Sequence, residues 1–162
     1  MTNPNVQIRL AHPGDFYQWK PLWVRYNAFY GRSGPTALPE EITRLTWSRF
    51  FDGHEPMRAL VAEQAGVLLG LAHYILHRST ILAGPTCYLQ DLFTAEQARG
   101  NGIGRALIDE VYRRAALAHC ERVYWHTHET NATARQLYDK VAENSGFVVY
   151  RKDLKLPSEP AV

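Results

Sequence analysis

Cysteine is scarce in this chain: Cys87 and Cys120 are the only two among 162 residues. Two thiols build no disulfide framework, so a reducing compartment and a cytoplasmic location are expected. Long apolar runs are missing too. None reaches the ~18 residues of a membrane span, and Met1 to Asn5 lacks the charged-then-apolar form of a secretory leader. No membrane partner is expected. Charge of one sign is also lacking. The formal net charge is +2, and the basic residues are scattered apart from Arg113-Arg114 and Arg151-Lys152. A nucleic-acid binder concentrates such residues on one face, so no nucleic-acid partner is expected. His73 with His77, and His126 with His128, recur at strand spacing. Two donors fall short of a metal centre, so these read as polar sheet residues and no metal is expected. There is no internal repeat and no low-complexity block.

What is present is an ordinary globular composition, 46% hydrophobic and 21% charged, in a length that suits one domain. We expect that domain over residues 1–156, with residues 157–162 as a flexible tail. Val6 to Leu10 alternates as a first strand. Phe16 to Tyr30 places Trp19, Trp23, Tyr26 and Tyr30 near one helix face. A loop rich in Gly and Pro leads to a second helix from Pro39 to about Phe51. Arg58 to Glu63 and Val67 to Leu76 flank a tight turn and read as a hairpin. Cys87 to Thr94 is another strand. Ile103 to Ala118 carries the clearest helical stripe, with Ile103, Leu107, Val111 and Ala115. Arg122 to Thr127 is a short strand, Asn131 caps a further helix, and Phe147 to Leu154 reads as a last strand. Strands interleaved with helices in this order make an α/β (α+β) fold with helices on both faces of a mixed sheet.

The chemistry concentrates in Arg99-Gly100-Asn101-Gly102-Ile103-Gly104-Arg105, which follows a strand and opens a helix. Glycines let the backbone turn sharply and leave amide N–H groups uncovered. Those amides and the positive helix end suit an anion such as a pyrophosphate, with Arg99 and Arg105 at the rim. A dinucleotide fingerprint needs glycine where Arg105 stands, and a P-loop needs a Lys-[Ser/Thr] pair that is missing. A nucleotide-binding enzyme is therefore disfavoured.

Arg99-x-x-Gly102-x-Gly104 does match R-x-x-G-x-G, and so resembles the acyl-CoA pyrophosphate signature of the GNAT acetyltransferase superfamily. The resemblance covers most of the chain and is clearest from Tyr88 to Arg151. It is nearest to the polyamine and diamine acetyltransferases and to the yeast-type histone, polyamine and amino-acid acetyltransferases. It implies a mixed, mostly antiparallel sheet of six to seven strands flanked by about four helices. It also implies acetyl-CoA as co-substrate, a small-molecule amine as acceptor, and a homodimer. Tyr88 to Thr94 resembles the family's fourth strand, whose main chain at Leu92, Phe93 and Thr94 would bond the pantetheine arm. Gly100, Asn101, Ile103 and Gly104 would complete the cradle begun by Arg99, Gly102 and Arg105. Asn131-x-x-Ala134-x-x-Leu137-Tyr138-x-Lys140 resembles the helix that follows. By that likeness Tyr138 is the general acid that protonates the departing thiolate, Asn131 contacts the coenzyme, and Lys140 reaches a phosphate.

An alkylammonium is neutral in only about one molecule in 2,500 at pH 7, so transfer to it calls for a base. The polyamine relatives carry a Glu-Asp pair where this chain has Gln90-Asp91. Gln90 is no base, which leaves Asp91 or Glu129. The resemblance also makes the first helices the acceptor wall, with Trp23, Tyr26, Tyr30 and Gln90 as candidates for lining it. Two rivals remain open on the same fold: a protein lysine or N-terminal acetyltransferase, and a non-catalytic CoA-binding module.

Overall fold

A computed structural model describes residues 5–154; the tail expected over 157–162, and the end of the expected domain at 156, lie outside the described residues. The chain divides into two compact units, one ending at His128 and one beginning at Glu129.

The first unit is a five-stranded sheet in the order β1 (Gln7–Leu10), β2 (Met57–Gln64), β3 (Val67–His77), β4 (Thr86–Thr94), β5 (Arg122–Tyr124). The first four strands are antiparallel neighbours, and β5 runs parallel to β4. Helices α1 (Phe16–Phe29) and α2 (Glu40–Arg49) join β1 to β2, and α3 (Ile103–Leu117) crosses from β4 to β5. The expected hairpin forms, with Ala65 and Gly66 both at positive φ in its turn.

Helices α1 and α3 bury the stripes their spacing predicts. Trp19, Leu22, Trp23, Tyr26 and Asn27 are the buried positions of α1. Ile103, Leu107, Ile108, Val111 and Ala115 are those of α3. Gly70 on β3 makes room for the latter: a Cβ there would lie 2.8 Å from Phe93 O and 3.3 Å from both Ile103 and Leu107. Gly70 thus faces α3. His73, three residues on, bonds Trp19 of α1. By the alternation of strand side chains the two helices cover opposite faces.

A part-buried ion pair joins β1 to the entry of α1. Arg9 holds both oxygens of Asp15, at 2.7 and 2.9 Å, and also reaches Glu63 on β2.

The second unit contains α4 (Ala132–Val141), capped by Asn131 as expected, through Ala134 N–H to its side chain at 3.4 Å. Two expectations are corrected. Six to seven strands are five among the described residues, because Phe147 to Leu154 forms no strand. Its alternation supplies propensity, but a strand exists only through a ladder partner, and none pairs with it there. The other is β5, which ends at Tyr124 rather than Thr127, because its ladder with β4 stops at Tyr88. No helix among the described residues is long and apolar enough to cross a membrane.

Candidate active site

The Arg99–Arg105 turn has the conformation its glycines foretell. Gly100 and Gly102 lie at φ 79° and 75°, and Gly102 is the N-cap of α3 in the left-handed region. The first amide of the turn with a backbone acceptor is that of Ala106, which bonds Gly102 O at 3.0 Å. Among the described residues, the N–H groups from Gly100 to Arg105 meet no acceptor. Six amides at the positive end of a 15-residue helix form an anion cradle. The flanking arginines are half to mostly exposed. Arg99 Nε bonds Thr94 O at 3.3 Å, and Arg105 leans back along α3 toward Asp109 at 3.7 Å.

The strand entering the cradle is open on one side. The β4–β5 ladder covers only Thr86 to Tyr88, and no strand pairs with that edge from Leu89 onward among the described residues. Ala95 N–H bonds Leu69 O at 2.8 Å, so that position faces β3. Two-residue alternation then turns the N–H and C=O of Leu92 and Thr94 to the open edge.

Asp91 lies on the face of β4 covered by α1. Leu89 stands opposite Tyr74 and Asp91 opposite His73, so Gln90 has no ladder partner. Gln90 is a β-bulge. Without it Asp91 would share the α3 face with Leu89; with it Asp91 joins His73, and the two side chains bond at 2.9 Å. The Asp91 carboxylate is 9% exposed. Three tyrosines sense it: burial, then the Asp91 charge, holds the phenols of Tyr26, Tyr30 and Tyr88 above their ordinary range. Gln90 itself is exposed.

The aromatic stripe of α1 divides by depth. Trp19, Trp23 and Tyr26 are buried, whereas Tyr30 is 41% exposed. Trp23 stacks on Tyr26 at 5.4 Å. Its indole N–H is the buried side-chain donor that lacks a partner among the described residues. Beyond Tyr30, Arg32 lies over its ring at 5.7 Å. Arg32 Nε donates to the Asn27 side-chain oxygen at 2.6 Å. Asn27, buried, anchors itself to Trp23 O at 2.8 Å. The guanidinium is thereby held by its Nε edge, leaving the paired Nη groups as a fork.

The model of the acetyltransferase (GNAT) family matches residues 19–142. The chain belongs to that family. It is 33% identical over 155 residues to the D-amino-acid N-acetyltransferase HPA3 of Saccharomyces cerevisiae, covering 94% of each protein. It is 26% identical to the uncharacterized N-acetyltransferase YhfO of Bacillus subtilis, over 90% of this chain and 95% of that protein. Among solved structures it shares its fold with AAC(6')-Iy in complex with a bisubstrate analogue. The TM-score there is 0.78 at 16% identity, with 93% of this chain and 99% of that one covered.

As a GNAT N-acetyltransferase, the chain carries its remaining sequence-derived candidates on the second unit. Glu129 is exposed at the start of that unit, and its main-chain carbonyl accepts from Arg135 at 3.0 Å. Tyr138 is half-buried on α4 and Lys140 exposed in its last turn. Neither cysteine of the acetyltransferase is poised as an acyl carrier: burial pushes the Cys87 thiol up to about 12 and raises that of Cys120 as well. No cluster of three His, Cys, Asp or Glu suited to a metal occurs among the described residues. Sequence reasoning read His73 only as a polar sheet residue and passed over Arg32. The signal for His73 was a histidine amid Leu71, Ala72, Tyr74 and Ile75, at the centre of an otherwise apolar strand. Arg32 sits in a loop and left no such signal.

Proposed function

We propose that this acetyltransferase moves acetyl from acetyl-CoA to the primary amine of a small molecule, by direct attack in a ternary complex. The observation that carries the reading is Asp91, a carboxylate turned by a bulge onto the α1 face, bonded to His73 and surrounded by tyrosines. The uncovered amides from Gly100 to Arg105 fit a pyrophosphate, and the open edge at Leu92 and Thr94 fits an amide-bearing arm added like a strand.

The coenzyme supplies a thioester. Asp91 takes the proton of the acceptor ammonium, whose neutralisation costs about 4.6 kcal/mol at pH 7. The freed nitrogen pair attacks the thioester carbon, a main-chain N–H near Leu92 steadies the developing oxyanion, and the C–S bond breaks. Tyr138 gives its proton to the leaving thiolate. A phenol of ordinary pKa, about 10, is acid enough to do so and stays protonated until then. Asn131 and Lys140 contact the coenzyme by the same family likeness.

An amino acid suits the acceptor site better than a polyamine. The fork of Arg32 offers a bidentate partner for a carboxylate, and both Arg32 and Asp91 act on the phenols of Tyr26 and Tyr30. The yeast relative is named for D-amino acids. A panel of amino acids, polyamines and peptides with acetyl-CoA, followed by thiol release, tests the proposal. Turnover confined to peptides would overturn it, and acetyl-CoA binding without turnover of any amine would replace it with a sensing role.

A further inference from the structure

The Trp19 indole N–H donates to His73 Nε2 at 2.9 Å, and His73 Nδ1 lies 2.9 Å from Asp91 Oδ2. The three residues are 0%, 2% and 7% exposed. They come from three elements, α1, β3 and β4. An indole nitrogen only donates. His73 Nε2 is therefore an acceptor, the ring proton sits on Nδ1, and Nδ1–H donates to the carboxylate. A residue distant in sequence thus selects the tautomer of the imidazole. The ring has no freedom to turn over either: Trp19, Trp23 and Phe50 lie 5.8, 5.1 and 4.5 Å from it, centroid to centroid.

We infer that His73 is a positioning residue for deprotonation of the acceptor: pinned by Trp19, it holds Asp91 Oδ2 through Nδ1–H and presents the rest of the carboxylate to the amine. The inference rests on the reading of Asp91 as the base. His73 is not a proton relay. Its far nitrogen is already taken by the Trp19 N–H, so it keeps its single proton throughout. The ammonium proton passes to Asp91, the electron pair stays on the amine nitrogen, and His73 remains hydrogen-bonded to Oδ2 before and after.

The chemistry of the surroundings favours this role over packing alone. The strand neighbours Leu71, Ala72 and Ile75 are apolar, and an apolar residue at 73 beside a leucine or phenylalanine at 19 would fill such a core. A buried chain of donor, relayed acceptor and carboxylate is costly unless each member is matched. Here every member is matched: Asp91 meets His73 on Oδ2 and also the Tyr26 phenol, and the lone pairs these two leave are the ones offered to an amine.

The test is steady-state kinetics of His73→Leu, His73→Asn, Asp91→Asn and the double variant His73→Leu/Asp91→Asn. Two acceptors are used, an alkylamine and an alkoxyamine, the second already uncharged at neutral pH. His73→Leu should lower kcat/KM for the alkylamine about 10²-fold at pH 7. The loss should shrink to less than about 5-fold for the alkoxyamine, which has no proton to give before attack. His73→Asn places an amide N–H near the same carboxylate oxygen and should recover at least about tenfold of the loss. The double variant should be no worse than Asp91→Asn alone, since the two act as one unit. Equal losses with both acceptors, or no recovery in a folded His73→Asn, overturn the inference. If Asp91→Asn impairs transfer and His73→Leu does not, the inference alone fails. If Asp91→Asn is silent, the base assignment fails first. Should His73→Leu not fold, His73→Asn against wild type on the two acceptors decides: equal rate ratios overturn the inference.

Discussion

Asp91 stands opposite His73 in the β3–β4 ladder, although Leu89, two residues before it, stands opposite Tyr74. The missing count is Gln90, the bulged residue. This one-residue irregularity moves the carboxylate from the face packed by α3 to the face packed by α1. Replacing Asp91 by Asn keeps the shape and removes the proton acceptor. We expect kcat/KM for an alkylamine to fall about 10²- to 10⁴-fold at pH 7. The deficit should then narrow by about tenfold for each pH unit toward the amine's own pKa, as water-borne neutral amine takes over. A pH–rate profile from pH 7 to 9 checks both. A variant profile parallel to wild type would remove Asp91 from the base role.

Tyr138→Phe keeps the ring of α4 and deletes the proton proposed for the thiolate. We expect kcat to fall about 10²- to 10⁴-fold with the acetyl-CoA dissociation constant nearly unchanged. Stopped-flow or colorimetric thiol release, paired with calorimetry, separates the two quantities. An unaltered kcat means that water or another group protonates the sulfur.

Gly102 lies at φ 75° at the N-cap of α3. Gly102→Val forces a β-branched side chain into the left-handed region, at a cost of about 1–3 kcal/mol, and covers amides of the cradle. Acetyl-CoA binding by calorimetry should weaken at least about tenfold, the equivalent of losing one charge-assisted contact. Wild-type affinity in this variant would move the pyrophosphate elsewhere.

The Arg32–Asn27 contact at 2.6 Å fixes one edge of the guanidinium and frees its fork. Arg32→Gln should lower the ratio of kcat/KM for an amino acid to that for the same amine without a carboxylate by about 10- to 100-fold, the range of a charge-assisted bidentate pair. An unchanged ratio would show that Arg32 does not read a carboxylate.

Asp15 offers a stability test remote from the chemistry. Burial raises its carboxyl pKa, but the Arg9 guanidinium and the His12 N–H outweigh that and hold it below the ordinary value. A folded pKa below the unfolded one, about 3.9, stabilises the protein above that pH and loses the contribution as pH falls through the folded value. Asp15→Asn should therefore cost about 1–3 kcal/mol at pH 7, the range of a hydrogen bond to a charged group. The gap between the two melting temperatures should close below about pH 4. A constant gap from pH 7 to pH 3 would contradict the assignment.

Much of the scaffold was legible from spacing. The stripes Trp19-Trp23-Tyr26 and Ile103-Leu107-Val111-Ala115 depend on the 3.6-residue period, which acts locally and survives in any tertiary setting. The Arg99–Arg105 turn was legible for the same reason: left-handed residues at Gly100 and Gly102 and uncovered amides at a helix start are properties of a few consecutive residues. The strand expected at Phe147–Leu154 illustrates the limit. Alternation there describes a side-chain pattern, while a strand is a relation between two segments.

The sequence by itself determined the helix faces, the hairpin, and the glycine turn whose family signature names the coenzyme half of the reaction. Only the tertiary structure decided which face Asp91 occupies and what it meets there. Nothing local in Tyr88–Thr94 says that Gln90 is skipped, because a bulge is defined by the partner strand. Nothing near His73 says which nitrogen carries its proton, because Trp19, from another element, makes that choice. The cradle is built from neighbours in the chain, and the Asp91 site from residues that meet only when the sheet and α1 close on each other.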